Sequence, residues 1–122
     1  MLYHIVAAAD WTPGNAYRPP DFSADGFIHC ATSSQVARVA NWLFAGRDDL
    51  LILTIDPTRV EAPVKYENFE GGSELFPHIY GVLDAGAVVD VRPFSPDADG
   101  VFSFPTSAHA TPNTSLERTR EG

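Results

Sequence analysis

Three histidines of this chain stand in the same local setting, each among large apolar residues. His4 lies in Tyr3-His4-Ile5, His29 closes Gly26-Phe27-Ile28-His29-Cys30, and His78 lies in Phe76-Pro77-His78-Ile79-Tyr80. Imidazole changes charge near neutral pH, so it serves as general acid, general base or hydrogen-bond partner to a ligand. With such neighbours each is expected to be partly buried, and three histidines projecting from strands could converge on one cleft. Each could equally be a core polar group satisfied by its own hydrogen bond, and the residues alone leave both readings open. Three histidines can also hold a catalytic zinc. Their long separations match no compact ligand motif such as His-Glu-x-x-His, so a metal is not expected. His109 sits in a segment of different composition and has no comparable setting.

Carboxylates accompany the third histidine. Glu67 follows Tyr66, and Glu74 precedes the His78 block. Tyr66 and Glu67 alternate across a strand, so only one of them faces a given cleft. Cys30 precedes a helix start, where the dipole would lower its pKa. It also alternates with His29, so the two cannot pair, and a small buried hydrophobe is the better reading. Ser33 and Ser34 stand where an anion could meet a helix N-terminus, although capping is their commoner role. Gly71-Gly72 is too short for a phosphate loop, and neither a P-loop nor Gly-x-Gly-x-x-Gly occurs.

The chain that must position these groups has 122 residues, 44% of them hydrophobic and 20% charged, enough for one domain with its own core. Its net charge of −8 argues against nucleic acid and anionic membranes as partners, both of which call for clustered Lys and Arg. A small anionic ligand needs only a local patch. One cysteine excludes an internal disulfide framework and suits a reducing compartment. No apolar run is long enough for a bilayer, and the first residues lack a signal-peptide pattern, so a cytoplasmic location is expected. Residues 105–122 hold one large aliphatic, Leu116, and balanced charges, so they are expected to form a disordered tail. The acidic charge therefore sits on a globular unit of residues 1–104.

Within that unit, residues 2–8 read as a strand. Residues 10–25 read as a long loop with a turn of helix near Trp11, and residues 26–30 as a short strand. Val36, Val39, Ala40, Leu43 and Phe44 form one stripe of a helix over about 33–45. Thr32 and Gln35 offer a capping box, and Gly46 a C-terminal stop. Leu50–Ile55 reads as a strand buried on both faces and Val64–Glu67 as a short strand. Residues 70–73 read as a loop and 79–83 as extended. A strand over 87–91 is ended by Pro93, and 102–104 could add an edge strand. The expected class is α+β: a small, twisted, split, mainly antiparallel sheet with one main amphipathic helix.

In order along the chain, these blocks resemble a known family. They are Tyr3-His4-Ile5, Trp11, Asp25-Gly26-Phe27-Ile28-His29-Cys30, Asp49-Leu50 through Ile55-Asp56, Tyr66-Glu67 and Phe76-Pro77-His78-Ile79-Tyr80-Gly81. The family is the bacterial and plant one catalogued as domain of unknown function 952, and the likeness covers about residues 2–104. That family is similar to the ADP-ribosyltransferase fold, a split sheet gripping NAD, which the RNA 2′-phosphotransferases share. The resemblance implies that His4, on the first strand, binds the ADP-ribose part of NAD, with His29 as a second position. Where many such enzymes carry a late-strand catalytic Glu, this chain has His78, and Ala31 stands where the family usually has Ser. The implied site has His4, His29, Arg18 and Thr32 binding the cofactor and His78, Tyr80 and Glu67 at the reacting ribose. An anionic dinucleotide further requires Arg18, Arg38 or Lys65, or the helix start near Thr32, to face the cleft. The alternative is a non-enzymatic module binding a small ligand or partner, its histidines structural.

Overall fold

The computed structural model describes residues 1–20, 22–68 and 71–104. Strand β1 (Leu2–Ala7) is followed by helix α1 (Phe22–Asp25), β2 (Ile28–His29), helix α2 (Val36–Leu43), β3 (Leu50–Ile55), β4 (Val64–Glu67), β5 (Phe76–Ile79) and β6 (Val88–Phe94). The strands form two antiparallel sheets, in the orders β1-β3-β6 and β2-β5-β4. An isolated bridge between Tyr3 and Ala31 joins the two across the split. The expected α+β class, with a split antiparallel sheet and one main helix, is what the chain adopts.

Two apolar layers explain why β3 is apolar throughout. On one face Leu53 and Ile55 join Leu2 and Val6 of β1 and meet Ile28, Cys30 and Ile79 from the second sheet. On the other face Leu50 and Ile52 join Tyr3 and Phe94 and meet Val36 and Ala40 of α2, with Phe102. A central strand covered on both sides has no position for a polar alternation.

Local punctuation follows the residues. Gly26 closes α1 with φ of +80°, and its N–H reaches the Phe22 carbonyl. Gly46, at φ +84°, follows the end of α2 in a conformation that L side chains resist. The capping box forms by half. Gln35 Oε1 accepts from the Thr32 N–H at 3.0 Å, while the Thr32 hydroxyl pairs with Ser34 Oγ at 3.2 Å.

Several expected boundaries shift. Regular helix covers 36–43 rather than 33–45, because residues 33–35 form a turn. The strand of 26–30 shrinks to β2. The helical turn expected near Trp11 occupies Ala8–Asp10 as a 3-10 turn, and the same loop also holds α1. Strand β5 starts at Phe76, earlier than the extended stretch expected from Ile79. Strand β6 runs through Pro93 to Phe94, since among the described residues it pairs with β3 alone and a proline on an edge strand forfeits no ladder bond. Residues 102–104 form no strand. The Asn41 side chain instead takes the backbone of Phe102, accepting its N–H at 2.7 Å and donating to its carbonyl at 3.0 Å. The expected disorder of 105–122 concerns residues outside those described.

Asn41→Ala removes both bonds that hold the buried Phe102 segment, and is expected to cost about 1–2 kcal/mol in urea unfolding. Cys30 is buried, and burial pushes its thiol up to about 12. It should resist alkylation at pH 8 in the folded protein and react once denaturant is added.

Candidate functional site

Alternation builds the site on one face of the second sheet. Ile28, Cys30 and Ile79 turn into the core, so their neighbours Phe27, His29, His78 and Tyr80 turn the other way. Register aligns them: His29 pairs with His78, and His78 with Lys65 on β4. Glu67, two residues beyond Lys65, shares that face.

The expected reacting group forms one hydrogen-bonded cluster. Glu67 Oε1 accepts from His78 Nδ1 at 2.9 Å and from the Tyr80 hydroxyl at 2.7 Å. These two bonds, Tyr80's first, hold the Glu67 carboxyl below its usual range, and donation to Glu67 raises the Tyr80 phenol. Both bonds fall on one oxygen. Among the described residues no protein donor reaches Oε2, which leaves it able to accept from a ligand. The His29 ring lies 5.3 Å from that of His78.

Phe27 makes the floor. Its ring stacks on His78 at 4.2 Å and 25°, and lies 4.7 Å from His29 and 5.1 Å from Tyr80. Its period-two spacing to His29 is the signal that places it. Lys65 Nζ sits 5.0 Å from the Tyr80 ring centroid.

His4 takes a different position. It shares the face of Leu2 and Val6 in β1, is buried, and gives both ring nitrogens to the fold. Nδ1 meets the His29 carbonyl at 2.5 Å, and Nε2 meets the Tyr17 hydroxyl at 2.9 Å. A carbonyl only accepts, so Nδ1 carries the proton, and in the neutral ring the Tyr17 hydroxyl donates to Nε2. Tyr17 comes from the long loop, where no spacing pointed to it.

His4, His29, Glu67 and His78 line a common cavity of about 610 Å³. Two of the three histidines thus meet ring to ring, and the third is tied to them through the backbone of His29. His29 is exposed, not partly buried as its apolar neighbours suggested, whereas Phe27 and His78 on the same face are buried and stacked on each other. Arg18, Thr32 and Tyr80 are absent from that lining, and Tyr80 meets the site only through its bond to Glu67. Arg18 is exposed with its guanidinium 5.8 Å from the Phe22 ring centroid, and Thr32 is engaged at the turn before α2. Arg38 pairs bidentately with Glu74, both bonds at 2.6 Å. No three His, Cys, Asp or Glu side chains among the described residues are grouped to hold a metal ion.

The Glu74 pair also pins the loop beside the cavity. Gln35 Nε2 donates to the Leu75 carbonyl at 2.8 Å and to Glu74 at 3.1 Å, and Asn68 Nδ2 donates to the Glu74 carbonyl at 2.7 Å. The Arg38 bond holds the Glu74 carboxyl down to about 2 from 4.5. A lowered carboxyl favours the folded state above its ordinary value and loses that contribution as pH falls through its folded value. Amide exchange at residues 71–75 is therefore expected to quicken as pH drops from 4.5 toward about 2, beyond the intrinsic pH dependence of exchange. The Glu74→Gln protein should lack that excess.

Two split antiparallel sheets bearing a His-Glu-Tyr cluster on an aromatic floor define a small α+β cleft protein. The chain belongs to the family described as Protein of unknown function (DUF952), whose model matches residues 5–91. It is similar to protein CC0527 from Caulobacter crescentus. The crystal structure of that protein is 29% identical with a TM-score of 0.72, covering 84% of this chain and 92% of that one. Its solution NMR structure gives 28% identity and a TM-score of 0.67, covering 90% and 96%. No curated protein matches the chain. Among the described residues, no helix is long and apolar enough to cross a membrane.

Proposed function

We propose that the cleft binds an N-ribosyl compound of the NAD or ADP-ribose type, with the reacting ribose at Glu67, His78 and Tyr80, and that it cleaves the N-ribosyl bond. The observation that carries this reading is the Glu67 carboxylate, kept ionised by two donors on Oε1 with Oε2 left to a ligand. Breaking the bond from C1′ to a pyridinium nitrogen sends the electron pair to the leaving base and puts positive charge on the ribose. A fixed carboxylate stabilises that charge as it develops. Water then bonds to C1′, and the Glu67–His78 pair takes the released proton. NAD would enter as a substrate, and transfer to another acceptor would follow the same course with that acceptor in place of water.

His29 lies close enough to His78 to contact the same sugar, and His4 supports it by holding the His29 carbonyl. The ADP-ribosyltransferase-like fold that the motif blocks imply is part of this proposal, and the split sheet is compatible with it. One observation favours the alternative of a binding module without turnover: His4 has both nitrogens committed inside the fold. The test is nicotinamide release from NAD+ and from nicotinamide riboside. Release that is lost in Glu67→Gln supports catalysis. Binding without release supports the module, and neither binding nor release of either compound at millimolar concentration refutes both.

A further inference from the structure

We infer that the ligand of this cleft is a ribosylated base, neutral or cationic at the base, that carries no pyrophosphate. The inference rests on the proposed cleavage of an N-ribosyl bond at Glu67, and it replaces NAD with a pyrophosphate-free riboside as the preferred substrate. Charge is the first argument. At the ribose end Glu67 lines the cavity with a negative charge, while Lys65, on the same sheet face, lies outside that lining against the Tyr80 ring. Farther along the cavity Asp10 adds a negative charge, while Arg47 is already held by Asp49 through bonds of 2.9 and 2.6 Å. Arg38 is spent on Glu74, and Arg18 lies outside the lining. Among the described residues the cavity thus has no surplus of positive charge with which to meet two adjacent phosphates.

The apolar wall is the second argument. Val39, Trp42, Leu43 and Phe44, from α2 and its C-terminal end, line the same cavity. Trp42 is 64% exposed, and Leu43, expected in the buried stripe, is 59% exposed. A planar base laid on this wall covers apolar surface that otherwise faces water. A cavity of about 610 Å³ is of the size that takes a small organic ligand. A pyridinium riboside fits both ends, with its ring on the wall and its positive charge toward Glu67.

Calorimetric titration with nicotinamide riboside, NAD+ and ADP-ribose tests this. The riboside is expected to bind about tenfold or more tighter than ADP-ribose at low salt, a gap of about 1.4 kcal/mol. The gap should narrow in about 1 M salt, where screening acts over roughly 3 Å. Asp10→Lys should raise affinity for ADP-ribose and leave or lower that for the riboside. Tighter binding of NAD+ or ADP-ribose than of the riboside overturns this inference while leaving the proposed function in place. Failure of all three to bind overturns both.

Discussion

Glu67→Gln is expected to leave the protein folded and to lower N-ribosyl cleavage by about 10²–10⁴-fold. Glutamine keeps the side-chain volume and an oxygen that can still accept from Tyr80 and His78. What it loses is the charge proposed to stabilise the ribosyl cation and half of the pair proposed to take the proton. The wild-type carboxyl is held below its usual 4.5 by Tyr80 and then His78. It is ionised throughout the neutral range, so the rate should not depend on this group there and should fall only as pH drops below 4.5. Parallel measurement of thermal unfolding and nicotinamide release separates the two roles. A variant that keeps its rate, or that loses its fold together with its rate, contradicts the assignment.

His4→Ala is expected to be the most destabilising change in the cleft, at about 2–4 kcal/mol. The ring is 7% exposed and lies between the sheets, and its two nitrogens bind elements far apart in sequence. Removing it leaves a cavity and takes one hydrogen-bond partner each from the Tyr17 hydroxyl and the His29 carbonyl in a partly dry setting. His4→Asn places an amide donor near the position of Nδ1 and should recover part of the loss, because the bond to His29 can re-form. Urea unfolding of the two variants reads this directly. Equal stability of wild type and His4→Ala would mean that the ring is held for a ligand and not for the fold.

The sequence showed the site in pieces. Continuous apolar residues from Leu50 to Ile55 demanded a strand covered on both sides, and two core layers cover it. Alternation in Phe27-Ile28-His29 and His78-Ile79-Tyr80 placed the rings on one face once the strands existed. Tyr17 was illegible, because its contact to His4 closes a loop with no periodic pattern. The same is true of Asn41, whose grip on Phe102 spans 61 residues and replaces an expected strand. The division of labour among the histidines was also hidden. All three sit among apolar neighbours, yet β1 turns His4 into the layer between the sheets and β2 turns His29 outward, a difference of strand phase relative to the core.

The face bearing Phe27, His29, Glu67, His78 and Tyr80 is the one proposed to hold a ribosyl ligand. An NMR titration with nicotinamide riboside reads that face residue by residue. Saturable shifts are expected at those residues, extending to the Trp42 indole on α2. Shifts gathered instead at the separate groove of Trp11, Ala85 and Val88, or none at millimolar ligand, would contradict that placement.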